Sequence, residues 1–149
     1  MKLAEALQER ADLNRRIEQL RARLENNALV QEGESPAEDP SELLAELDRC
    51  LASLEELIGR INLTNSKTLV EGRTLTELIA RRDCLTLKVT AYREFLQEAS
   101  QTSHRATRSE IRIRSTVPVA RLQKTVDQMS RELRLLDNQI QQTNWTTEL

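Results

Sequence analysis

The chain has little of what makes turns, sheets and cofactor pockets. Its 149 residues include three glycines and three prolines. So few chain-breakers argue against an α/β enzyme and leave room for long uninterrupted helices. The aromatics are Tyr92, Phe95 and Trp145 alone, too few for a base-stacking surface or a large apolar cofactor pocket. The single histidine, His104, has Gln101 three residues before it. A di-iron bundle would need glutamate there. Cys50, Cys84 and His104 lack the spacing of zinc ligands, and the two cysteines fall at different heights on neighbouring helices, which argues against a disulfide. No apolar run approaches the ~18 residues of a membrane span. The first residues, Met1-Lys2-Leu3-Ala4-Glu5, carry no apolar signal core. The cytoplasm is therefore the expected address, with both thiols reduced. A formal net charge of −2 gives no general attraction to nucleic acid or anionic lipid. Walker A, G-x-G-x-x-G, G-x-S-x-G and H-E-x-x-H patterns are all missing. No metal, cofactor or catalytic residue is expected.

What is present is helical. Charged residues make up 31% and the chain is rich in Leu, Glu, Arg, Gln and Ala, the composition of long helices or coiled coils. Apolar periodicity predicts helices over about 2–27, 40–65, 75–103 and 118–143. The strongest signal is Leu44, Leu47, Leu51, Leu54, Ile58 and Ile61, spaced alternately by three and four. Leu43, Cys50 and Leu57 flank it and widen the stripe beyond a two-stranded seam. The first helix presents Leu3, Ala6, Leu13, Ile17, Leu20 and Leu24. The third presents Leu75, Leu78, Leu85, Val89, Tyr92, Leu96 and Ala99. The fourth presents Val119, Leu122, Val126, Met129, Leu133, Leu136 and Ile140.

Punctuation agrees with these spans. Asp39-Pro40-Ser41-Glu42 reads as a cap, a proline at the first helical position and an acidic first turn. Thr74-Leu75-Thr76-Glu77 reads as a second capping box, and Asn26-Asn27 as a helix end closed by a left-handed asparagine. Glu71-Gly72 marks a turn. Short strands are expected over 28–31 and 110–115, the second because Ile111, Ile113 and Val117 alternate with Arg112, Arg114 and Thr116. The expected fold is all-α: a single domain, 1–149, forming an up-down four-helix bundle of long antiparallel, coiled-coil-like helices with a small two-stranded β element at one end.

That topology would bring the acidic 28–39 connection (Glu32, Glu34, Glu38, Asp39) beside the basic 104–118 connection (Arg105, Arg108, Arg112, Arg114). Internal pairing of the two is the expectation, ahead of contact with nucleic acid. The opposite end would collect Arg10, Asn14, Asn62, Thr64, Asn65, Arg81, Arg82, Asp83, Asn138, Asn144 and Trp145. Arginines among amide donors suit a small anion. A polar layer that fixes helix register, with Arg82 paired to Asp83 or to a neighbouring helix, is the leading reading of the same residues. Arg10, Asn14, Asn62, Asn65, Arg81, Arg82, Asp83, Asn144 and Trp145 are the candidate ligand-binding set. Trp145 is read as an apolar plug at the bundle end.

Five blocks carry a resemblance along the whole chain: Glu9 to Arg16, Pro36-Ala37-Glu38-Asp39-Pro40, Arg60-Ile61-Asn62 with Thr64-Asn65-Ser66, Ala80-Arg81-Arg82-Asp83, and Asn144 to Leu149. Together they resemble a family of small bacterial proteins of unknown function, some of which carry the label septicolysin. Pro118 departs from the acidic helix cap that similar sequences imply. The resemblance supplies no catalytic residues. Its label implies a cytolysin, yet the chain has no strongly apolar hairpin or face to enter lipid. The expected function is self-association or protein interaction without catalysis, in a homo-oligomer with no membrane partner. An anion-binding protein is the alternative, and a nucleic-acid-binding helical arm is the weaker third.

Overall fold

The computed structural model describes residues 1–102 and 111–149. The chain is all-α with one small sheet: α1 (Leu3–Asn26), α2 (Pro40–Lys67), β1 (Leu69–Val70), β2 (Arg73–Thr74), α3 (Leu75–Ala99) and α4 (Val119–Thr146). It divides into two compact units, Met1–Thr74 with Gln142–Leu149, and Leu75–Gln141. Within each unit two long helices pack as antiparallel neighbours, in the manner of a helical bundle.

In the first unit α1 lies on α2. Ile17, Leu20, Leu43 and Cys50 form the buried cluster, with Leu13, Leu24, Leu47 and Leu54 packed against it. The antiparallel sense is set at both levels of the pair. Arg16 Nε donates to Glu46 Oε1 at 2.7 Å, and Arg23 Nε, about two turns further along α1, donates to Glu38 Oε2 at 3.0 Å. In the second unit Val89, Leu96, Val126 and Met129 are buried between α3 and α4, with Leu85, Tyr92, Val119, Leu122 and Leu133 around them. Arg93 donates to Ser130 Oγ at 2.8 Å, while Arg82 lies 3.5 Å from Asp137. Again the partner numbers fall as α3 rises.

The helix ends show why the chain stops where it does. The Glu5 carboxylate accepts the Lys2 backbone N–H at 2.6 Å and satisfies a donor at the start of α1. Asp39 accepts from the Ser41 N–H at 2.9 Å, with Pro40 at the first helical position of α2. The end of α1 is different from the expected left-handed cap, because Asn27 has φ −112°. Its side chain closes the turn instead. The amide donates to the Arg23 carbonyl at 2.8 Å and its Oδ1 accepts the Glu38 N–H at 3.0 Å. One buried asparagine thus satisfies the end of α1 and the approach to α2 together.

The small sheet sits elsewhere than the sequence pattern suggests. β1 and β2 pair antiparallel, Leu69 with Thr74 and Val70 with Arg73. Glu71 (φ 51°) and Gly72 (φ 82°) fill the two central turn positions. Two positive φ angles match the twist of a two-residue hairpin, which is why this connection pairs. The expected strands do not form: residues 28–31 are irregular, and so are 111–115, while Glu110 lies outside the described residues. Alternation over so few residues cannot hold a strand without a partner edge. Helix ends also shift, since α2 runs on to Lys67, α3 stops at Ala99 and α4 continues to Thr146.

Three substitutions test these features. Gly72→Ala should lose about 1 kcal/mol, because the added Cβ meets nothing and only its left-handed backbone is penalised. Glu71→Asn should gain up to about 1 kcal/mol at the neighbouring position. Asn27→Ala should cost about 1–3 kcal/mol, since it leaves the Glu38 N–H without its acceptor. Urea unfolding monitored by far-UV circular dichroism reads all three.

Candidate functional site

The main departure from the expected core concerns the face of α2. The residues of α2 that become buried are Leu43, Cys50, Leu57 and Ile61. Leu44, Leu51 and Ile58, the centre of the sequence stripe, stay 51%, 45% and 37% exposed. The apolar stripe is wider than its helical partner covers, and the helix is turned so that its flank is buried. About 100° further round the helix run Ala45, Ala52 and Gly59, all exposed and at the same seven-residue spacing, with Asp48 and Glu55 on the strip between the two rows. A Cβ placed on Gly59 would meet nothing within 4 Å. The result is a solvent-facing ridge of Leu, Leu and Ile with a row of small residues alongside. Arg49 and Arg60 border the row of small residues.

The candidate ligand-binding residues divide between the units. Arg10, Asn14, Asn62, Asn65, Asn144 and Trp145 lie in the first, Arg81, Arg82 and Asp83 in the second. In the first unit, Arg10 is half-buried and its guanidinium has no partner among the described residues. The Asn14 amide donates to the Arg10 carbonyl at 3.0 Å, a bond within one helix turn. Asn62 is exposed and Asn65 half-buried. Asn144 is 5% exposed, and its Oδ1 has no hydrogen-bond partner among the described residues. An acceptor in that position calls for a donor, not an anion. Trp145 is 53% exposed, so the buried member of that pair is the asparagine and the expected plug is half in solvent. In the second unit, Arg81 bonds Glu132, while Arg82 bonds Asp83 at 3.1 Å and lies 3.5 Å from Asp137.

Around Asn144 the chain ends are tied by backbone. Leu3 N–H donates to the Thr147 carbonyl and Leu149 N–H to the Met1 carbonyl, each at 2.9 Å. Lys2 and Glu148 face each other across this bridge and form an ion pair. Hydrogen bonds from Lys2 and the Met1 ammonium hold the Glu148 carboxyl below its ordinary pKa. Arg23 does the same to Glu38, and Glu46 and Glu38 in turn raise Arg16 and Arg23.

The remaining chemistry is sparse. Both cysteines are free, Cys50 buried and Cys84 exposed. Among the described residues no group of three or more His, Cys, Asp or Glu could hold a metal ion, and no helix is long and apolar enough to cross a membrane. His104, Arg105 and Arg108 lie outside the described residues. The side chains of Glu32, Glu34, Arg112 and Arg114 have no partner among those described. Sequence reasoning missed the ridge as a surface because it read the same residues as core. The small residues at 45, 52 and 59 were the available signal.

The two lowered carboxyls give a pH signature. Their stabilisation is present above the ordinary carboxylate pKa and is lost as pH falls through the depressed values. Glu38→Gln and Glu148→Gln should be less stable than wild type at neutral pH and converge with it as pH falls below the ordinary carboxylate range. Thermal unfolding across that range reads the convergence.

Comparison with known proteins places the chain without assigning an activity. A crystal structure of a functionally unknown conserved protein from Corynebacterium diphtheriae is similar at 41% identity with a TM-score of 0.93, covering 100% of this chain and 98% of that chain. No curated protein matches. The descriptions that match carry no septicolysin label. Residues 10–149 match a family described as "Family of unknown function (DUF6847)", and the chain belongs to that family.

Proposed function

We propose that this is a non-catalytic cytoplasmic protein that works by self-association, and that α2 supplies the first contact between copies. The observation that carries the reading is the uncovered ridge of Leu44, Leu51 and Ile58 beside Ala45, Ala52 and Gly59. Each half-exposed side chain leaves roughly 1 kcal/mol of burial unrealised. Across two copies that amounts to roughly 6 kcal/mol.

The ridge fits a second α2 running antiparallel about a twofold axis through Ala52. In that register Ala52 meets its own counterpart and Ala45 faces Gly59, so the backbones approach closely where the side chains are small. The large residues then lie over the opposing helix. Arg49 falls opposite Glu55 twice, once on each side of the axis. The same register sets Asp48 opposite Glu56, which offsets the Arg49–Glu55 pairs, so a second copy matches the ridge in size rather than in charge.

The anion alternative has less to support it. Arg81 and Arg82 are already engaged by carboxylates, and Asn14 by backbone. Arg10 is the member of the set left with an available guanidinium.

Sedimentation or light scattering after chromatography should give wild-type protein a mass above that of one chain at micromolar concentration. Ala52→Arg places a charged side chain on the twofold contact at an exposed position, so it should give a folded monomer of unchanged helicity. A monomeric wild type, or an Ala52→Arg protein of undiminished mass, would overturn the reading.

A further inference from the structure

The formal charge of −2 conceals a segregation. The unit Met1–Thr74 with Gln142–Leu149 carries sixteen Asp and Glu against ten Lys and Arg, whereas the unit Leu75–Gln141 carries eight against twelve. At physiological salt, exposed charges act over about 8 Å. A partner therefore meets the charge of one face rather than the total over the chain.

Within the basic unit, α4 sorts its charges by direction. Every carboxylate on it is engaged: Asp127 accepts from the Gln123 amide at 2.8 Å, Glu132 from Arg81, and Asp137 lies 3.5 Å from Arg82. Its four cations, Arg121, Lys124, Arg131 and Arg134, are exposed, and none has a side-chain partner among the described residues. At 100° per residue the four span an arc of about 140°. The middle of that arc lies opposite the seam of Val126, Met129, Leu133 and Leu136. Asp127 is the one carboxylate within the arc. The outer face thus keeps a positive excess along about 20 Å of helix.

A merely solvated helix gains by mixing its signs. α1 does so, with Arg15 paired to Asp12 and Arg21 to Glu18, each three residues apart. α4 instead sets Arg121 three residues from Lys124, and Arg131 three from Arg134. Like charges at that spacing destabilise a helix. An anionic partner converts both repulsions into attractions. The rest of the face narrows which anion. Leu135 is its one large apolar side chain, so a partner held by apolar burial has little to grip. α4 has no aromatic residue between Val119 and Asn144, so unpaired bases have nothing to stack on. What matches is closely repeated negative charge whose bases are already paired.

We propose that the outer face of α4 binds the phosphodiester backbone of a nucleic-acid duplex without reading its sequence. The surface is separate from the α2 ridge and does not depend on self-association.

The test measures the full-length protein by fluorescence anisotropy against labelled DNA and RNA duplexes of about 20 base pairs, each in two unrelated sequences, at about 50 and 200 mM salt. At least one kind of duplex should bind at the lower salt, and the kind that binds identifies the source of the backbone. Its two sequences should agree within about threefold, and binding should weaken roughly 50- to 150-fold at the higher salt. Arg121→Ala with Lys124→Ala, and Arg131→Ala with Arg134→Ala, place the best helix former at exposed positions and should fold. Each pair should weaken binding at least about tenfold and flatten the logarithmic salt slope by about 2. Lys67→Ala with Arg73→Ala removes two exposed cations from the acidic unit and should change affinity by less than about twofold. No binding by either duplex at low salt overturns the proposal. So does an equal loss in the Lys67 and Arg73 variant, which is a response to total charge. A sequence preference above about tenfold overturns the backbone reading. If the α4 variants lower the sedimentation mass and leave duplex affinity unchanged, the face is a contact between copies and the proposal fails.

Discussion

Everything in the first unit follows from a mismatch of widths. The apolar stripe of α2 spans Leu43-Leu44, Leu47, Cys50-Leu51, Leu54, Leu57-Ile58 and Ile61, broader than the face α1 can cover. A helix in that position must leave one edge of its stripe in water. It buries the edge carrying Leu43, Cys50 and Leu57, and leaves the edge carrying Leu44, Leu51 and Ile58. The choice is understandable from α1. Ile17 and Leu20 are the large side chains facing α2, and Arg16 sits one position away to reach Glu46. Rotating α2 by one residue would bring Leu44 and Leu51 inward, but would carry Glu46 away from Arg16.

Side-chain bonds at the helix ends fix what burial leaves free. Burial specifies a face but not a height, because a leucine stripe offers similar contacts after a one-heptad slide. Arg23 and Asn27 remove that freedom by meeting Glu38, just before Asp39 caps α2. A shift of α2 by seven residues would break the Asn27 bridge and the Arg23 pair together. The exposed ion pairs contribute little energy individually. Their use here is positional.

The fold was legible where a signal extended over several helical turns. The stripes of α1, α3 and α4 predict the buried residues well: Leu3, Ala6, Ile17 and Leu20, then Leu75, Leu78, Val89 and Leu96, then Val126, Met129, Leu136 and Ile140. Asp39 and Pro40 act as their chemistry implies. Reading failed where two patterns shared one helix or where a pattern was short. On α2, Leu44 and Leu43 are equally apolar, and periodicity cannot say which neighbour claims the helix. At 28–31 the apolar pair Leu29-Val30, and at 110–115 alternation, suggested strands, but runs this short do not commit the backbone to a strand by themselves. The true hairpin had a better signal than either, the Glu71-Gly72 turn, because two positive φ angles commit the chain locally. Of the candidate site, the Arg82–Asp83 pair was legible from adjacency. The burial of Asn144 in preference to Trp145 was not, since both follow from tertiary packing at the end of α4.

Gly59 makes the strongest case that the α2 ridge serves a purpose outside the single chain. Glycine inside a helix costs about 1 kcal/mol relative to alanine. Here it sits inside the unbroken α2 helix, in its C-terminal third, faces solvent, and has open space where a Cβ would lie. Among the described residues no turn, close approach or positive φ requires it. Alanine at that position would stabilise the isolated helix at no steric cost. The same reasoning extends to Leu44, Leu51 and Ile58, which a lone chain would tolerate as polar residues with better solubility. A small residue and three large apolar ones, set side by side at one heptad spacing on one exposed face, are each unfavourable or idle in the monomer. The proposed α2 contact is the arrangement in which all four would be used.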